Sequence, residues 1–345
     1  MRKMQNKFQK IIRIKVKFCS RVQNAAALLL LFFFFSSCIS QKPFNMVLLP
    51  DTQTYSAAYP EVFRAQTEWI AENADSIAFV LHQGDITDNN TEKQWENAVD
   101  ALHVLDGKVP FAFVAGNHDI GDPGKNANTR ESELFNKYMP YGKYSGMEGF
   151  GGAFEPGKMD NTWHTFHAGG IDWLILCLEF GPRNKVLDWA AEVIENHPKH
   201  KVIINTHAYM YSDGTRMNIG SDHAWVPQRY GVGQYTGEDA PNDGEMMWEK
   251  LVSQHPNILM VVSGHVLHSG AARLVSEGVH GNKVYQMLAN YQGGVEGSEI
   301  GGNGFLRIVT IDPEQKKISV KSYSPYIDQY KTDPAHEFGF ENVGF

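Results

Sequence analysis

The chain has 345 residues, of which 42% are hydrophobic and 12% aromatic, enough apolar material for a substantial buried core. Its formal charge is −8, but eight of its Lys and Arg residues and none of its acids lie in residues 1–37. Without that segment 23 basic residues face 39 acidic ones, a formal charge of −16, which argues against a nucleic-acid partner bound through a broad basic surface.

The amino terminus resembles a bacterial export signal. A basic stretch ends at Arg21, and the apolar run 25–35 that follows is too short to span a bilayer comfortably. Small residues then precede Cys38, as in the lipobox of bacterial lipoproteins. We therefore expect residues 1–37 to be a lipoprotein-type signal peptide and Cys38 to be the lipidated first residue of the mature protein.

This interpretation predicts an exported protein, anchored by lipid to a bacterial membrane on the periplasmic or cell-surface side. Residues 38–43 would be a short tether. The alternative is ordinary secretory cleavage, with Cys38 incidental. Cys19 lies in the segment to be removed, so Cys177 would remain as a buried free thiol in the apolar run DWLILCLEF.

From Phe44 onwards, predicted strands alternate with predicted helices. Five apolar runs rich in β-branched and aromatic residues indicate strands: FNMVLLP, SIAFVLHQ, PFAFVA, KVIIN and NILMVVS. Residues 60–73 and 92–105, which separate the first three runs, have apolar residues at helical spacing. This βαβαβ order predicts a parallel sheet with right-handed crossovers.

The second half of the chain adds a hairpin over residues 163–179, a helix over 184–196 and several short strands. Between them, residues 209–242 form a long segment rich in Gly, Tyr and Asp, which is typical of a functional loop or lid. Two sheets with helices on their outer faces fit this order. We expect one domain over residues 44–330 and a carboxyl-terminal tail over 331–345.

A short polar motif follows each of the five strand-like runs. The motifs are Asp51-Thr52-Gln53, Gly84-Asp85, Gly116-Asn117-His118-Asp119, Asn205-Thr206-His207 and Gly264-His265. Because the carboxyl ends of neighbouring strands open onto one crevice, these oxygen and imidazole donors can converge there. Such a mixed donor set suits Mn, Fe or Zn better than Ca or Mg. The motifs therefore predict a metal site and a hydrolase.

The motifs can support chemistry at two cations. The carboxylate of Asp85 has two oxygens and can bridge them, and two cations about 3.5–4 Å apart can clamp both oxygens of an in-line displacement. His118 is placed to protonate a leaving oxygen, with Asp119 orienting its ring.

In this order the motifs resemble the calcineurin-like metallophosphoesterases, over essentially the whole mature chain. Gly-Asn-His-Asp at 116–119 is the most specific element. The resemblance implies an α/β fold, a four-layer αββα sandwich with two mixed β-sheets flanked by helices. It also implies a phosphatase or phosphodiesterase in which a metal-bound hydroxide attacks a phosphate ester, either a small molecule or a phosphorylated macromolecule.

The resemblance also assigns residues by position. It implies that His118 assists the leaving group and that Asp85 bridges two Mn, Fe or Zn ions, whose other ligands would be Asp51, Asn117, His207 and His265. Two positions depart from the family pattern. Gln53 stands where the family has a histidine, and His268 follows Gly264-His265 one residue later than the family's second imidazole.

Both departures affect the metal position bound by Asp51. Gln53 is either a ligand there or a hydrogen-bond partner of Asp51 or water, and His268 is either a ligand or an exposed turn residue. We therefore expect unequal sites, with the Asn117/His207/His265 cation bound more tightly than the Asp51 cation.

Arg216, behind His207 in the long segment, could bind a substrate phosphate as a fork or form a plain salt bridge. The Gly-rich loop after Asn290-Tyr291-Gln292 could border the site.

Two alternatives to a phosphoesterase stay open. One is a surface-anchored binding module with a partly degraded metal site, and the other is a metal-dependent esterase or amidase on the same scaffold.

Overall fold

A computed structural model describes residues 41–345 of the chain. The predicted signal peptide, Cys19, Cys38 and the first residues of the predicted tether lie outside this range. The strands of the described chain are β1 (Phe44–Leu49), β2 (Ile77–His82), β3 (Phe111–Phe113), β4 (Phe150–Ala153), β5 (Thr162–Ala168), β6 (Ile171–Leu178), β7 (Lys201–Thr206), β8 (Ile258–Ser263), β9 (Ala271–Glu277), β10 (Lys283–Ala289), β11 (Leu306–Asp312), β12 (Lys317–Ser324), β13 (Gln329–Lys331) and β14 (Phe338–Glu341).

The helices include those that the periodicity predicts between the first strands and after the hairpin. In chain order they are α1 (Gln53–Ala58), α2 (Pro60–Glu72), α3 (Glu92–Leu102), α4 (Glu133–Tyr138), α5 (Tyr141–Tyr144), α6 (Asn184–Glu195) and α7 (Gly244–Lys250). Within residues 41–345, no helix combines the length and the apolarity needed to cross a bilayer.

The strands form two seven-stranded sheets, and both sheets are mixed. The first has the order β13-β12-β11-β1-β2-β3, with β14 paired to β12, and the second has the order β4-β5-β6-β7-β8-β10-β9. In the first sheet β1, β2 and β3 run parallel, and β11 is antiparallel to β1. In the second sheet β6, β7, β8 and β10 run parallel.

Alternating side chains of the central strands divide the core into layers. On β1, Met46 and Leu48 join a cluster that includes Trp173 and Cys177 of β6, so this cluster fills the space between the sheets. The intervening residues of β1 pack outward, in a second cluster with side chains of α2 and α6. A strand that is buried on both faces has apolar residues at consecutive positions, and the central strands here have such sequences. The predicted helix–sheet–sheet–helix fold is confirmed.

Cys177 is the free cysteine of the described residues, and it is buried. Burial raises the pKa of its thiol to about 12, since the apolar space between the sheets disfavours the thiolate. The thiol is therefore unsuited to act as a nucleophile.

The carboxyl-terminal residues require a correction. We expected residues 331–345 to be a tail outside the domain, but β14 pairs with β12 along the first sheet. Val343 is fully buried, and the ring of Phe345 lies 6.3 Å from that of Trp173. Hydrogen bonds and apolar contacts therefore make this segment part of the domain.

Candidate metal centre

The five motifs lie at the carboxyl ends of β1, β2, β3, β7 and β8. Hydrogen bonds join these ends across the two sheets. The side-chain amide of Asn205 on β7 donates to the carbonyl of His82 on β2 at 3.0 Å, and the backbone N–H of His265 after β8 donates to the carboxylate of Asp51 after β1 at 3.0 Å. Residues up to 214 positions apart in the chain are thereby brought to one edge shared by both sheets.

Side-chain atoms from three other motifs surround the Nε2 atom of His207. The Oδ2 atom of Asp85 lies 3.1 Å from it, Oδ1 of Asn117 also lies 3.1 Å away, and Nδ1 of His265 lies 3.0 Å away. All four side chains are buried. Ligand atoms of Asp85, His207 and His265 lie within 4.8 Å of one another, which is the spacing of groups that share one cation.

The hydrogen bonds at the far side of each imidazole fix which nitrogen faces the cluster. Nδ1 of His207 lies 2.8 Å from the carbonyl of Gln83, and Nε2 of His265 lies 2.8 Å from the carbonyl of Trp225. Each of these nitrogens must donate, because a carbonyl only accepts. In the neutral rings the other nitrogens, like the oxygens beside them, therefore point lone pairs at one another. A group of acceptors without a donor fits a cation, and this N and O set fits Mn, Fe or Zn.

The charges of the site lead to the same conclusion. Burial would lower the pKa of His207, but the carboxylates of Asp85 and Asp51 outweigh it and raise that pKa to about 9, so the cluster attracts a positive charge, either a proton on Nε2 or a cation. Burial would raise the pKa of Asp85, yet the neighbouring His207 and His118 hold it below its usual range. The pKa of Asp51 is raised to about 7 by burial, with His207 lowering it and Asp85 raising it. Two buried carboxylates side by side favour a positive charge between them.

Asp51 lies beside the cluster and is held by three donors. The backbone N–H of His265 donates to both of its oxygens at 3.0 and 3.1 Å. The side-chain amides of Asn290 and Gln292 donate to its Oδ2 atom at 2.9 and 3.2 Å. Sequence reasoning placed the segment of Asn290 and Gln292 only at the border of the site. Since Asn290 directly follows β10, the rule used for the other strand ends would have found it.

The two residues that depart from the family pattern occupy different places. Gln53 is buried and lines the cleft, and its Oε1 atom has no hydrogen-bond partner among the described residues. That oxygen is available to a cation near Asp51. His268 is exposed on a left-handed turn, and its ring lies 5.2 Å from that of Trp225 and 6.0 Å from that of Tyr211. The turn holds the imidazole on the surface, outside the cluster.

His118 lines the cleft, but Asp119 does not orient its ring as we expected. Nδ1 of His118 lies 2.6 Å from the carbonyl of Asp88, and Nε2 lies 3.2 Å from the side-chain amide of Asn126. The Asp119 carboxylate instead accepts three backbone N–H groups, including that of Gly116 at 2.8 Å. Asp119 therefore ties two strand-end loops together and acts on His118 only through its charge.

The expected role of Arg216 as a phosphate-binding fork also requires a correction. Its Nε and Nη2 atoms donate to the two oxygens of Glu245 at 2.7 and 3.1 Å, and its guanidinium lies 4.4 Å from the Trp248 ring centroid. Nη1 donates to Ser276 and Gln286. The guanidinium group of Arg216 is therefore already bound by side chains of the protein, and Arg216 forms a salt bridge, as in the second alternative.

The backbone of the site is left-handed at three residues with side chains. Asp85 has φ of 48°, His265 has φ of 77° and Trp225 has φ of 59°. Such backbone costs free energy and is found at sites where the surrounding structure enforces it. The left-handed backbone of Trp225 directs its carbonyl towards the ring of His265. Nothing in the sequence around Trp225 signals this role.

His82 is a buried neighbour of the centre. Its Nε2 atom lies 2.9 Å from Oγ1 of Thr52, and its Nδ1 atom accepts the Gly84 N–H at 3.2 Å. Burial, followed by the nearby His207, lowers its pKa to about 3, so the ring is neutral. It supports the loops after β1 and β2, and its side chain faces away from the cluster.

Comparison with known proteins agrees with this arrangement. The family model for calcineurin-like phosphoesterases matches residues 46–269. An uncharacterized protein of Bacillus subtilis (strain 168), YvnB, is 32% identical over 307 residues, a match that covers 84% of this chain and 21% of that protein. The chain thus spans about a fifth of the length of this relative.

Among solved structures, the purple acid phosphatase PPD1 isolated from yellow lupin (Lupinus luteus) seeds has a similar fold. The TM-score is 0.52 at 12% sequence identity, and the match covers 87% of this chain and 54% of that one.

Proposed function

Since the chain belongs to the calcineurin-like phosphoesterase family, we propose that it is a metal-dependent hydrolase of phosphate esters with a dinuclear metal centre. The observation that carries the proposal is the group of lone-pair acceptors around Nε2 of His207. Its substrate would be a phosphate-ester small molecule or a phosphorylated macromolecule.

One cation would be held by Asn117, His207 and His265 together with Asp85. The second would lie between Asp85 and Asp51, with the unpartnered Oε1 atom of Gln53 as a neutral ligand. When bound, the cations supply Lewis acidity at phosphoryl oxygens and acidify water.

We also propose that the second site is the weaker one. The oxygens of Asp51 already accept hydrogen bonds from His265, Asn290 and Gln292, and Gln53 brings no charge. His268, with its ring beside Trp225 on the surface, adds no ligand there. Metal titration that finds two equally tight sites would contradict this order.

His118 would hold the proton that the leaving oxygen needs. Burial alone would lower its pKa, but the nearby Asp85, the Asp88 carbonyl and the carboxylates of Asp88 and Asp119 outweigh burial and raise the pKa above its ordinary value. The Asp88 carbonyl holds the Nδ1 proton, so Nε2, which lies beside the side-chain amide of Asn126, is the atom that would serve the leaving oxygen.

The proposal is tested by metal analysis and turnover of the purified full chain. We expect it to bind Mn²⁺ and to hydrolyse phenyl phosphate or a phosphodiester analogue. Asp85→Asn should lower kcat/KM by more than about 100-fold, because it removes an anionic ligand shared by both cations. Asp100→Asn, at an exposed carboxylate of α3, is the matched control and should keep the activity.

Each alternative function has its own outcome in this experiment. Mn²⁺ binding without turnover of any ester would indicate a binding module. Hydrolysis of acyl esters without hydrolysis of phosphate esters would indicate an esterase or amidase. Either outcome refutes a phosphoesterase.

We propose in addition that the protein is exported and lipid-anchored through Cys38. The support is the order of the basic stretch, the apolar run and the small residues before that cysteine. In a bacterial host given a labelled fatty acid, Cys38→Ser should abolish labelling and release the protein from the membrane fraction. Cys19→Ser should change neither, and labelling that persists in Cys38→Ser would refute the anchor.

A further inference from the structure

The cleft beside the metal ligands has a volume of about 230 Å³, and none of the ten described residues that line it is Lys or Arg. A phosphate ester carries negative charge, and in a partly buried cleft its oxygens need hydrogen-bond donors beyond the cations. The Tyr230 side chain carries the one hydroxyl group among these ten residues. The amide of Gln292, another donor there, already donates to Asp51.

The ring of Tyr230 is packed so that its hydroxyl stays free. The ring meets that of Phe180 edge to face, with centroids 5.2 Å apart, and lies 6.1 Å from the ring of the ligand His265. No residue of the described chain hydrogen-bonds the hydroxyl. A tyrosine hydroxyl has an ordinary pKa of about 10 and is therefore a protonated donor at neutral pH. Tyr230 and Asp85 line the same cleft.

The loop that carries Tyr230 is fixed on both sides. Its N–H donates to the Pro227 carbonyl at 3.2 Å, its carbonyl accepts the Gly233 N–H at 2.9 Å, and Val232 N–H donates to Ala127 at 3.0 Å. Gly231 lies so close to the neighbouring loop that a Cβ there would be 2.1 Å from the Asn128 carbonyl. The hydroxyl is therefore held in position before a substrate arrives, as electrostatic stabilisation of a developing charge requires.

We propose that the Tyr230 hydroxyl donates a hydrogen bond to a phosphoryl oxygen of the bound ester, in the place that a lysine or arginine would otherwise take. This rests on the proposed function, since it concerns the same cleft. It makes Tyr230 a substrate-binding residue that the sequence motifs do not include.

The test is the Tyr230→Phe variant, which removes one oxygen and keeps the ring. Binding of orthophosphate to the Mn²⁺-loaded full chain, measured by titration calorimetry, should weaken by about tenfold or more, as expected for a lost hydrogen bond to a charged group. The kcat/KM for phenyl phosphate should fall by about 10- to 100-fold. Mn²⁺ affinity and the melting temperature should stay at the wild-type values.

Tyr235→Phe is the matched control. Tyr235 lies in the same loop, is 39% exposed and has its ring 5.8 Å from the Arg130 guanidinium, outside the cleft. Removing the Tyr235 hydroxyl should change neither the affinity for orthophosphate nor the turnover of phenyl phosphate.

Three outcomes would overturn the proposal, and they are distinguishable. An active wild type with an equally active, equally phosphate-binding Tyr230→Phe variant refutes the role of Tyr230 and leaves the proposed function intact. A Tyr230→Phe protein with weakened Mn²⁺ affinity or a lowered melting temperature assigns the hydroxyl a structural role. A wild type that neither binds phosphate nor hydrolyses any phosphate ester refutes both proposals.

Discussion

At the residue scale, two glycines leave space for the carboxylates of Asp85 and Asp51. A Cβ added to Gly116 would lie 2.1 Å from Oδ1 of Asp85, and a Cβ added to Gly264 would lie 2.1 Å from Oδ1 of Asp51. No real Cβ makes contacts so short, so even alanine would displace the carboxylate. The glycine of one motif thus makes room for the carboxylate of another.

We therefore expect Gly264→Ala and Gly116→Ala to affect the metal content differently. The methyl group of Gly264→Ala clashes with the Asp51 carboxylate and makes only an ordinary contact, at 3.6 Å, with the Ala289 carbonyl. The weaker cation should therefore be lost, and the metal content should fall from about two to about one per chain. The methyl group of Gly116→Ala clashes with both the carboxylate and the backbone nitrogen of the shared Asp85, at 2.1 and 2.3 Å, so the binding of both cations should be weakened. Metal analysis after dialysis against dilute Mn²⁺ measures this.

Gly142→Ala is the control, because a Cβ at this position in α5 would have no neighbour within 4 Å. It should keep the metal content, and the added methyl should raise the free energy of unfolding by roughly 0.5–1 kcal/mol in a helix. Equal metal loss in the Gly264 and Gly116 variants would show that Asp51 and Asp85 do not serve separate positions.

The motifs could be predicted from sequence because each ligand follows a strand that is apolar on both faces, and strand ends of this kind share one crevice. The contacts of Asp119 and Trp225 could not be predicted from the sequence. They depend on how two loops turn after the strands end, and residues such as Asp85 and Trp225 turn through left-handed backbone that ordinary preferences disfavour.

At the element scale, Glu179 joins the end of β6 to three other segments. Its carboxylate accepts from Nε of Arg183 at 2.7 Å, just before α6, and from the side-chain amide of Asn161 at 3.0 Å. Arg130, from the loop after β3, lies 3.5 Å away. Burial would raise the pKa of Glu179, but Arg130 and Arg183 outweigh it and hold that pKa below its ordinary value.

Glu179→Gln should therefore lower the free energy of unfolding by about 3 kcal/mol at pH 7, since it leaves two arginines without their buried partner. The folded-state pKa of Glu179 is lowered, so its contribution is fully present above its ordinary pKa of about 4.3 and is lost as the pH falls through the folded value. The difference in stability between wild type and Glu179→Gln should shrink on acidification. Denaturant titrations at pH 7 and near pH 3.5 measure it.

Glu68→Gln, which breaks an exposed pair with Arg64 on α2, should leave the stability close to that of wild type at both pH values. A Glu179→Gln protein whose deficit stays constant over this pH range would show that the carboxylate charge contributes nothing.

The last strand, β14, has an apolar and a solvent-facing side. Phe338 and Phe340 are half-buried and alternate with exposed residues, and the Phe340 ring lies 4.8 Å from that of Tyr285. We expect Phe340→Ala to lower the free energy of unfolding by about 2 kcal/mol, less than for a fully buried ring. Glu341→Ala, one residue on and paired with Lys317 at the surface, should change it by less than about 0.5 kcal/mol. Similar small effects from both would mean that β14 adds nothing to the fold.

Sequence reasoning missed β14 because four residues with two alternating phenylalanines are too short to separate from a loop. The partner of Arg216 was missed for another reason. Glu245 lies 29 positions further along the chain, and only the folded path of the long segment brings the two together. Elements with a long apolar pattern could be predicted, whereas pairings between loops could not.

At the scale of the whole molecule, the proposed metal centre connects the two sheets. Asp51, Asp85 and Asn117 follow strands of the first sheet, whereas His207 and His265 follow strands of the second. A cation held by both groups would link the sheets at one edge. Removing it would leave buried carboxylates facing each other, so metal binding should be coupled to the stability of the entire domain.

We therefore expect Mn²⁺ to raise the melting temperature of the metal-free protein in a concentration-dependent way. A ligand that binds only the folded state at 100 times its Kd adds about 2.7 kcal/mol. In a domain of this size each kcal/mol raises the melting temperature by about 2 °C, so a shift of about 5 °C should appear in calorimetry. Asp85→Asn should abolish the shift, because the bridging anion is lost, whereas Asp100→Asn on α3 should keep it. An undiminished shift in Asp85→Asn would place the stabilising cation elsewhere.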